Sequence, residues 1–131
     1  MNINDLLANI SYDEFKGLNV TFINMPLRES AMPNTPPEGP LLLAAILRQY
    51  GAETHLLDFN AYRIKDEESS RRDLPNGRHL STDEAEAMLA KHLDNKGDQD
   101  IIVLSGKITT LRWQEITAKL VKKHQPDSFL V

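Results

Sequence analysis

The segment Ile101–Trp113, IIVLSGKITTLRW, determines the fold class that we expect for this chain. Its first residues form an uninterrupted aliphatic run of the length and composition typical of a buried strand. The run ends on Ser105 and Gly106, and a helical pattern begins close to Thr109 and Thr110. A strand that passes through a short turn into a helix is the repeating unit of parallel α/β sheets.

The same alternation occurs on both sides of this segment. Strand patterns are predicted at 19–25 (NVTFINM), 53–60 (ETHLLDFN) and 128–131 (SFLV). Helix patterns are predicted at 41–51, at 82–97 behind the capping box that joins Ser81 to Glu84, and at 108–125. Short apolar strands alternating with amphipathic helices predict right-handed βαβ units. We therefore expect an α/β fold, a doubly wound parallel sheet of the flavodoxin-like (Rossmann-like) kind.

The helix at 41–51 is apolar nearly all round, which predicts burial on two sides. The chain stops in or just after the predicted fourth strand. We therefore expect a sheet that is incomplete at its C-terminus, the front part of a larger polypeptide. Residues 1–18 are interpreted as an N-terminal arm and residues 19–131 as the α/β domain.

Composition excludes several classes of function. With 131 residues, 40% apolar and 26% charged, the chain fits one modest soluble domain. No run approaches the ~20 apolar residues of a membrane span, and acids occupy the N-terminus where a signal peptide carries bases. We thus expect a cytoplasmic protein without a membrane partner. The net charge of -4 argues against a nucleic-acid partner.

The absence of cysteine excludes disulfides, thiolate metal sites and cysteine-ligated iron–sulfur clusters within this chain. The four histidines share no spacing typical of metal ligands, so we predict no metal site; they are His55, His79, His92 and His124.

The predicted fold places a candidate site between the first and third strands. In open α/β sheets, ligands bind at the carboxyl ends of the strands where the strand order reverses. The relevant loops follow Met25 and Ser105. A strand that ends on Ser-Gly leaves little bulk at the crevice, so a large planar ligand can approach the backbone there.

Two stretches resemble cobalamin-binding domains. IIVLSGKITTLRWQEI, residues 101–116, resembles the third strand and following helix of such domains, as in methionine synthase, where a Leu-Ser-Gly-x-Ile-Thr run lines the slot for the nucleotide tail. PPEGPLLLAAILRQYGAETHLLDFN, residues 36–60, is similar to the opening pattern of many cobalamin-binding radical S-adenosylmethionine enzymes. The resemblance extends over residues 19–131.

The resemblance implies an N-terminal domain that binds cobalamin and supplies no catalytic residue. A downstream radical S-adenosylmethionine domain would hold the [4Fe-4S] cluster and S-adenosylmethionine for methyl transfer or related radical chemistry. The positions that the resemblance implies at the cofactor are Met25, Pro26, Pro37, Glu38, Gly39, Ser105, Gly106, Lys107, Ile108, Thr109 and Thr110.

The sequence departs from the cobalamin pattern at two places. The Asp-x-His-x-x-Gly motif that supplies a lower cobalt ligand is replaced by NMPLRESAMPN, which has no histidine. That leaves the lower face to water, to another residue such as Arg28 or Glu29, or open. The Gly-Gly segment expected after the fourth strand lies beyond Val131.

Each motif also has a purely structural interpretation. Ser105 and Gly106 make a tight turn in any strand-to-helix connection, and either threonine can be a helix N-cap. Pro37 and Gly39 can simply set the direction of the helix that follows them. Asp58, at the end of the second strand, would suit a ribose, but no Gly-x-Gly-x-x-Gly follows the first strand.

Two other functions remain open from the sequence. One is a cofactor-free flavodoxin-like or receiver-like module for interaction or regulation, although Asn24 and Ser105 stand where a phosphorylated receiver needs acids. The other is a nucleotide-binding half-domain, which the missing glycine motif argues against.

Overall fold

The computed structural model describes residues 12–26, 36–62, 67–73 and 77–131. Its strands are β1 (Asn19–Asn24), β2 (Glu53–Asp58), β3 (Ile101–Ser105) and β4 (Phe129–Leu130). Its helices are α1 (Glu38–Gln49), α2 (Glu67–Arg71), α3 (Thr82–Lys96) and α4 (Leu111–His124). Short 3-10 turns occupy Tyr12–Phe15, Phe59–Ala61 and Ile108–Thr110. Most of the predicted N-terminal arm, together with Arg28 and Glu29, lies outside the described residues.

The strands form one parallel sheet in the order β2-β1-β3-β4. This order confirms the predicted flavodoxin-like α/β fold. β1 lies in the middle and pairs with β2 on one side and β3 on the other. Asn24 is in register with both Asp58 and Ser105, so β2, β1 and β3 end level with one another.

The two faces of the sheet are covered to different extents. On one face, α3 and α4 pack on the sheet around a core that includes Ile23, Leu89 and Ile102. On the other face, α1 packs through Ala44 onto Val20 and Phe22 of β1. Alternate residues of each strand supply the two cores, as the pleat requires.

The helix boundaries confirm the caps expected from the sequence. Ser81 accepts from the backbone N–H of Glu84, and the Glu84 carboxylate accepts from the backbone N–H of Ser81, which completes the capping box of α3. Gly97 ends α3 with a φ of 72°, and Gly51 follows α1 with a φ of 87°, conformations that favour glycine.

Four local features differ from the sequence interpretation. The last two residues of the predicted second strand, Phe59 and Asn60, lie in a 3-10 turn. The polar excursion after β2 contains the short helix α2. A 3-10 turn precedes α4, and the side chain of Thr110 makes no cap hydrogen bond to that helix. The outer side of α1 is exposed, with Leu42 at 64%, because among the described residues only one side of this helix has the sheet to pack on.

Within the described residues, no helix combines the length and the apolar character that crossing a membrane requires.

Candidate functional site

The predicted crevice between β1 and β3 forms at the level carboxyl ends of these strands. Asn24 and Ser105 are register partners, and the N–H of Met25 donates to the carbonyl of Ser105 over 2.9 Å, which extends the ladder by one bond. The loop after β1 and the turn after β3 therefore leave the sheet side by side, as the strand order predicts.

A cavity of about 440 Å³ opens between the start of α1 and the turn after β3. It is lined by Asn24, Pro36, Pro37, Glu38, Gly39, Pro40, Ser105, Gly106 and Lys107. A second cavity of about 300 Å³ continues along the α1 side of β3. It is lined by Phe22, Gly39, Pro40, Leu43, Val103, Leu104, Ser105 and Gly106.

Because four residues line both cavities, we describe the two together as the α1–β3 groove; the shared residues are Gly39, Pro40, Ser105 and Gly106. The mouth of the groove, at the strand ends, carries the polar side chains of Asn24, Glu38 and Lys107. The part along the sheet carries apolar side chains from β1, α1 and β3 and is the more open of the two. Pockets of a few hundred Å³ with apolar walls and few polar groups are typical of small-molecule sites.

Gly39 leaves the groove open on the α1 side. A Cβ atom built at this position meets nothing within 4 Å, so the space beside its backbone is free. Gly106, on the opposite wall, behaves differently. A Cβ atom there would overlap Thr110 Oγ1 and come within 2.7 Å of Gln114 Nε2 and 3.1 Å of Met25 Cγ.

The turn after β3 is closed by hydrogen bonds within the chain. Lys107 N donates to Thr110 Oγ1 over 3.0 Å, and that hydroxyl donates to the carbonyl of Lys107 over 2.8 Å. Gln114 Nε2 donates to the same carbonyl over 3.2 Å. The Thr110 hydroxyl is therefore used to hold the turn, and its side chain is buried.

Met25 and Pro26, which the resemblance implies beside the corrin, are buried in the fold. Met25 lies in the core on the α3–α4 face, where its sulfur accepts a hydrogen bond from the Thr117 hydroxyl over 3.4 Å. Of the positions predicted at the cofactor, the groove brings together Pro37, Glu38, Gly39, Ser105, Gly106 and Lys107. Thr109 is exposed in the 3-10 turn that begins at Ile108.

Sequence reasoning missed the apolar side chains that line the groove along the sheet. Phe22 and Val103 are register partners on neighbouring strands, and Leu43 faces them from α1. The signal available was the alternation of β1 and β3, because Phe22, Asn24, Val103 and Ser105 must share one face of the sheet.

Asn24 and Asp58 are joined at the strand ends. Asn24 Nδ2 donates to Asp58 Oδ1 over 2.7 Å, and the same oxygen accepts from the N–H of Asn60 over 3.0 Å. The carboxylate thus fixes the 3-10 turn after β2 and orients the amide at the groove mouth. Asp58 itself does not line the groove.

Two histidines lie away from the groove, on the α3 side of the sheet. His55 and His92 meet edge to face with ring centroids 6.2 Å apart. Burial is the largest cause that lowers the pKa of each ring, and the positive charge of Lys96 lowers both further. In the described part of the chain, no cluster of histidine and carboxylate side chains has the makings of a metal site.

Comparison of the chain with protein-family models, curated proteins and solved structures finds no match.

Proposed function

We propose that this chain is a corrinoid-binding domain, of the kind that precedes the radical domain in cobalamin-dependent radical S-adenosylmethionine enzymes, and that the α1–β3 groove receives the nucleotide arm of the cofactor. The observation that carries the proposal is a mainly apolar groove whose mouth, at the strand ends, also carries an amide, a carboxylate and an ammonium group. A corrinoid has matching parts, because its arm joins an anionic phosphodiester and a sugar to a flat heterocycle.

The groove residues suit such an arm in shape and in chemistry. Phe22, Leu43 and Val103 offer apolar contact to the heterocycle, and Lys107 offers a cation near the mouth for the phosphodiester. The bare backbone of Gly39 permits close approach, since nothing occupies the position of its missing side chain. The groove lies where ligands of parallel α/β sheets generally bind.

In this function the side chains of the chain bind and orient but react with nothing. A bound corrinoid supplies a cobalt centre that carries the transferable group, and that chemistry belongs to the cofactor. Asn24, Glu38 and Lys107 would orient the polar part of the arm, while the apolar side chains along the sheet would pack against the heterocycle. The radical domain with its [4Fe-4S] cluster and S-adenosylmethionine would lie on a further segment of polypeptide.

The turn after β3 serves this function indirectly. Thr110, Gln114 and Met25 fill the space behind Gly106, which holds Ser105 and Gly106 in place as one wall of the groove. The predicted roles of Thr110 and Met25 are therefore best tested as support for this wall.

The test is equilibrium dialysis of the purified chain against hydroxocobalamin, with the visible spectrum of the retained fraction as the readout. Gly39→Leu should weaken binding about tenfold or more, because forcing bulk into a filled site costs about 1–3 kcal/mol. Ala87→Leu, which adds three carbon atoms instead of four at an exposed position of α3, is the control and should bind as the wild-type chain does.

The proposal fails if the wild-type chain retains no hydroxocobalamin. It also fails if Gly39→Leu binds as tightly as Ala87→Leu, because the cofactor would then lie outside the groove.

A second candidate, a module that works through contact with another protein surface, is favoured by a separate observation. Phe129 on β4 and Val131 just after it are 67% and 63% exposed, an unusual state for apolar residues of a parallel sheet. These residues lie outside the groove.

A further inference from the structure

Half of one sheet face lacks a cover among the described residues. α1 packs over β1 and β2, whereas α3 and α4 both pack on the opposite face. Phe129 is in register with Ile101, which faces the α1 side, so Phe129 and Val131 face that side as well. We call this surface, made of the α1-side residues of β3 and β4, the open face.

The open face has the width of one helix. Neighbouring strands lie about 4.8 Å apart, so two strands span about 10 Å, the diameter of a helix and the usual distance between packed helices. Parallel sheets are stable when helices cover both faces. The open face therefore fits a single helix with an apolar side, lying next to α1.

One helix of the chain, α1, has an exposed apolar side. The outward side of α1 carries Leu42, 64% exposed, and the flank of α1 that points toward β3 carries Leu43 and Ile46, 52% and 41% exposed. A helix that is apolar on its outward side needs a second surface to cover it.

We propose that the chain forms a two-fold symmetric dimer in which α1 of each copy covers the open face of the other. A two-fold axis parallel to the strands, beside the Leu43 flank of α1, places the two α1 helices side by side between the two sheets. Each α1 then lies on its own β1 and β2 from one side and on β3 and β4 of the partner from the other. The same two-fold rotation buries the outward side of α1 and the open face in both copies. Such a contact is self-complementary, because each copy contributes the same two surfaces.

Charges at the two ends of α1 suit this arrangement. An axis parallel to the strands keeps every residue at its own height along the sheet. Glu38, at the start of α1, then comes to the level of Lys107 of the partner subunit, which follows β3. Arg48, in the last turn of α1, comes to the level of Asp127 of the partner subunit, which precedes β4. Opposite charges therefore meet at both ends, which favours this register over an antiparallel one.

The dimer does not rest on the proposed cofactor, but it uses part of the groove. The partner's α1 would lie over Val103, and Glu38 and Lys107 would take part in contacts between subunits, so the dimer and a bound nucleotide arm would compete for these residues.

Light scattering coupled to size-exclusion chromatography tests the dimer on the whole chain. The wild-type chain should have twice the mass of one chain, and Leu42→Glu and Val131→Glu should each shift it to the monomer, because each would bury a charge in the contact. Leu111→Glu is the matched control: Leu111 is an exposed leucine of α4, on the opposite face, and its variant should remain a dimer. A wild-type monomer, or dimers in both interface variants, would overturn the proposal.

A cross-linking experiment tests the orientation without relying on destabilised variants. The chain has no cysteine, so a single introduced thiol can form a disulfide only with the same residue of a second chain. Leu43→Cys lies near the proposed axis and should form a disulfide-linked dimer on mild oxidation, whereas Lys119→Cys, exposed on α4, should not. A dimer in which residue 43 cross-links no faster than residue 119 contradicts this arrangement.

Discussion

Gly106 lies against Thr110 so closely that a Cβ atom at position 106 would overlap the threonine hydroxyl. The same hydroxyl accepts from the N–H of Lys107 and donates to its carbonyl, so it cannot move without opening the turn after β3. The small residue at the strand end is thus required by the chain itself, whatever the groove binds.

Replacement of Gly106 by alanine should therefore lower the free energy of unfolding by about 1–3 kcal/mol, the usual cost of overpacking. Gly39→Ala is the matched substitution, since its new methyl group meets open space in a helix and should stabilise by up to about 1 kcal/mol. Urea unfolding of both variants measures the difference. Equal stabilities would show that Thr110 and Gln114 move aside at little cost.

The buried histidine pair predicts a loss of stability in mild acid. Thr21 donates its only hydroxyl proton to Gln99 Oε1 over 2.7 Å, so His92 must donate from Nε2 to Thr21, 3.1 Å away. His55 Nε2 is also buried and lies 3.4 Å from Glu53 Oε1. Burial and the positive charge of Lys96 lower the pKa of both rings. His55 also lowers the pKa of His92. Arg48 also lowers the pKa of His55, and Glu53 raises it.

Because both pKa values lie below the unfolded value of about 6.5, the unfolded chain binds protons more readily than the folded one. The stability that the neutral rings contribute is complete above pH 6.5 and is lost as the pH falls through the folded-state pKa values. Urea unfolding between about pH 5 and 8 should show this slope, and His92→Gln should reduce it. An unchanged slope in both His92→Gln and His55→Asn would contradict the prediction.

The start of α3 should depend on its capping box. Ser81→Ala removes the acceptor for the N–H of Glu84 and should cost about 1 kcal/mol of stability. Thr82→Ala, at the next and exposed position, is the control and should have little effect. Thermal unfolding of the two variants distinguishes them, and equal transition temperatures would mean that the capping box contributes little.

Acid should also weaken this cap. The Arg78 guanidinium, and then the backbone N–H of Ser81, lower the pKa of Glu84 to about 2. A lowered carboxyl pKa contributes stability that is present above its unfolded value and is lost as the pH falls toward 2. Because both side chains are about one third exposed, solvent screening keeps this contribution small.

The groove predicts a preference among corrinoids. If the arm lies between α1 and β3, cobalamin should bind more tightly than cobinamide, which lacks the nucleotide arm. Competitive dialysis of the two compounds measures the ratio of their affinities. Val103→Asp places a charge among the apolar residues of the groove and should reduce this ratio. Equal affinities for the two compounds would place the binding energy elsewhere.

Local sequence was sufficient for the strands, the long helices and their order in the sheet. The aliphatic run before Ser105, the capping box at Ser81 and the glycine at position 97 each act over a few residues, so their structural consequences can be read from composition and spacing. The handedness of βαβ connections then leaves few ways to arrange four parallel strands.

The tertiary structure alone decided what the candidate residues touch. The sequence predicted a strand end free of bulk, and only the fold shows that the space behind Gly106 holds Thr110 and Gln114 while the space beside Gly39 is open. It likewise shows Met25 in the core and leaves Phe129 exposed on the α1 side of the sheet, at the far edge from α1. The sequence pattern placed Phe129 in a strand. Which face of a strand is covered depends on helices far away in the sequence, and no local pattern carries that information.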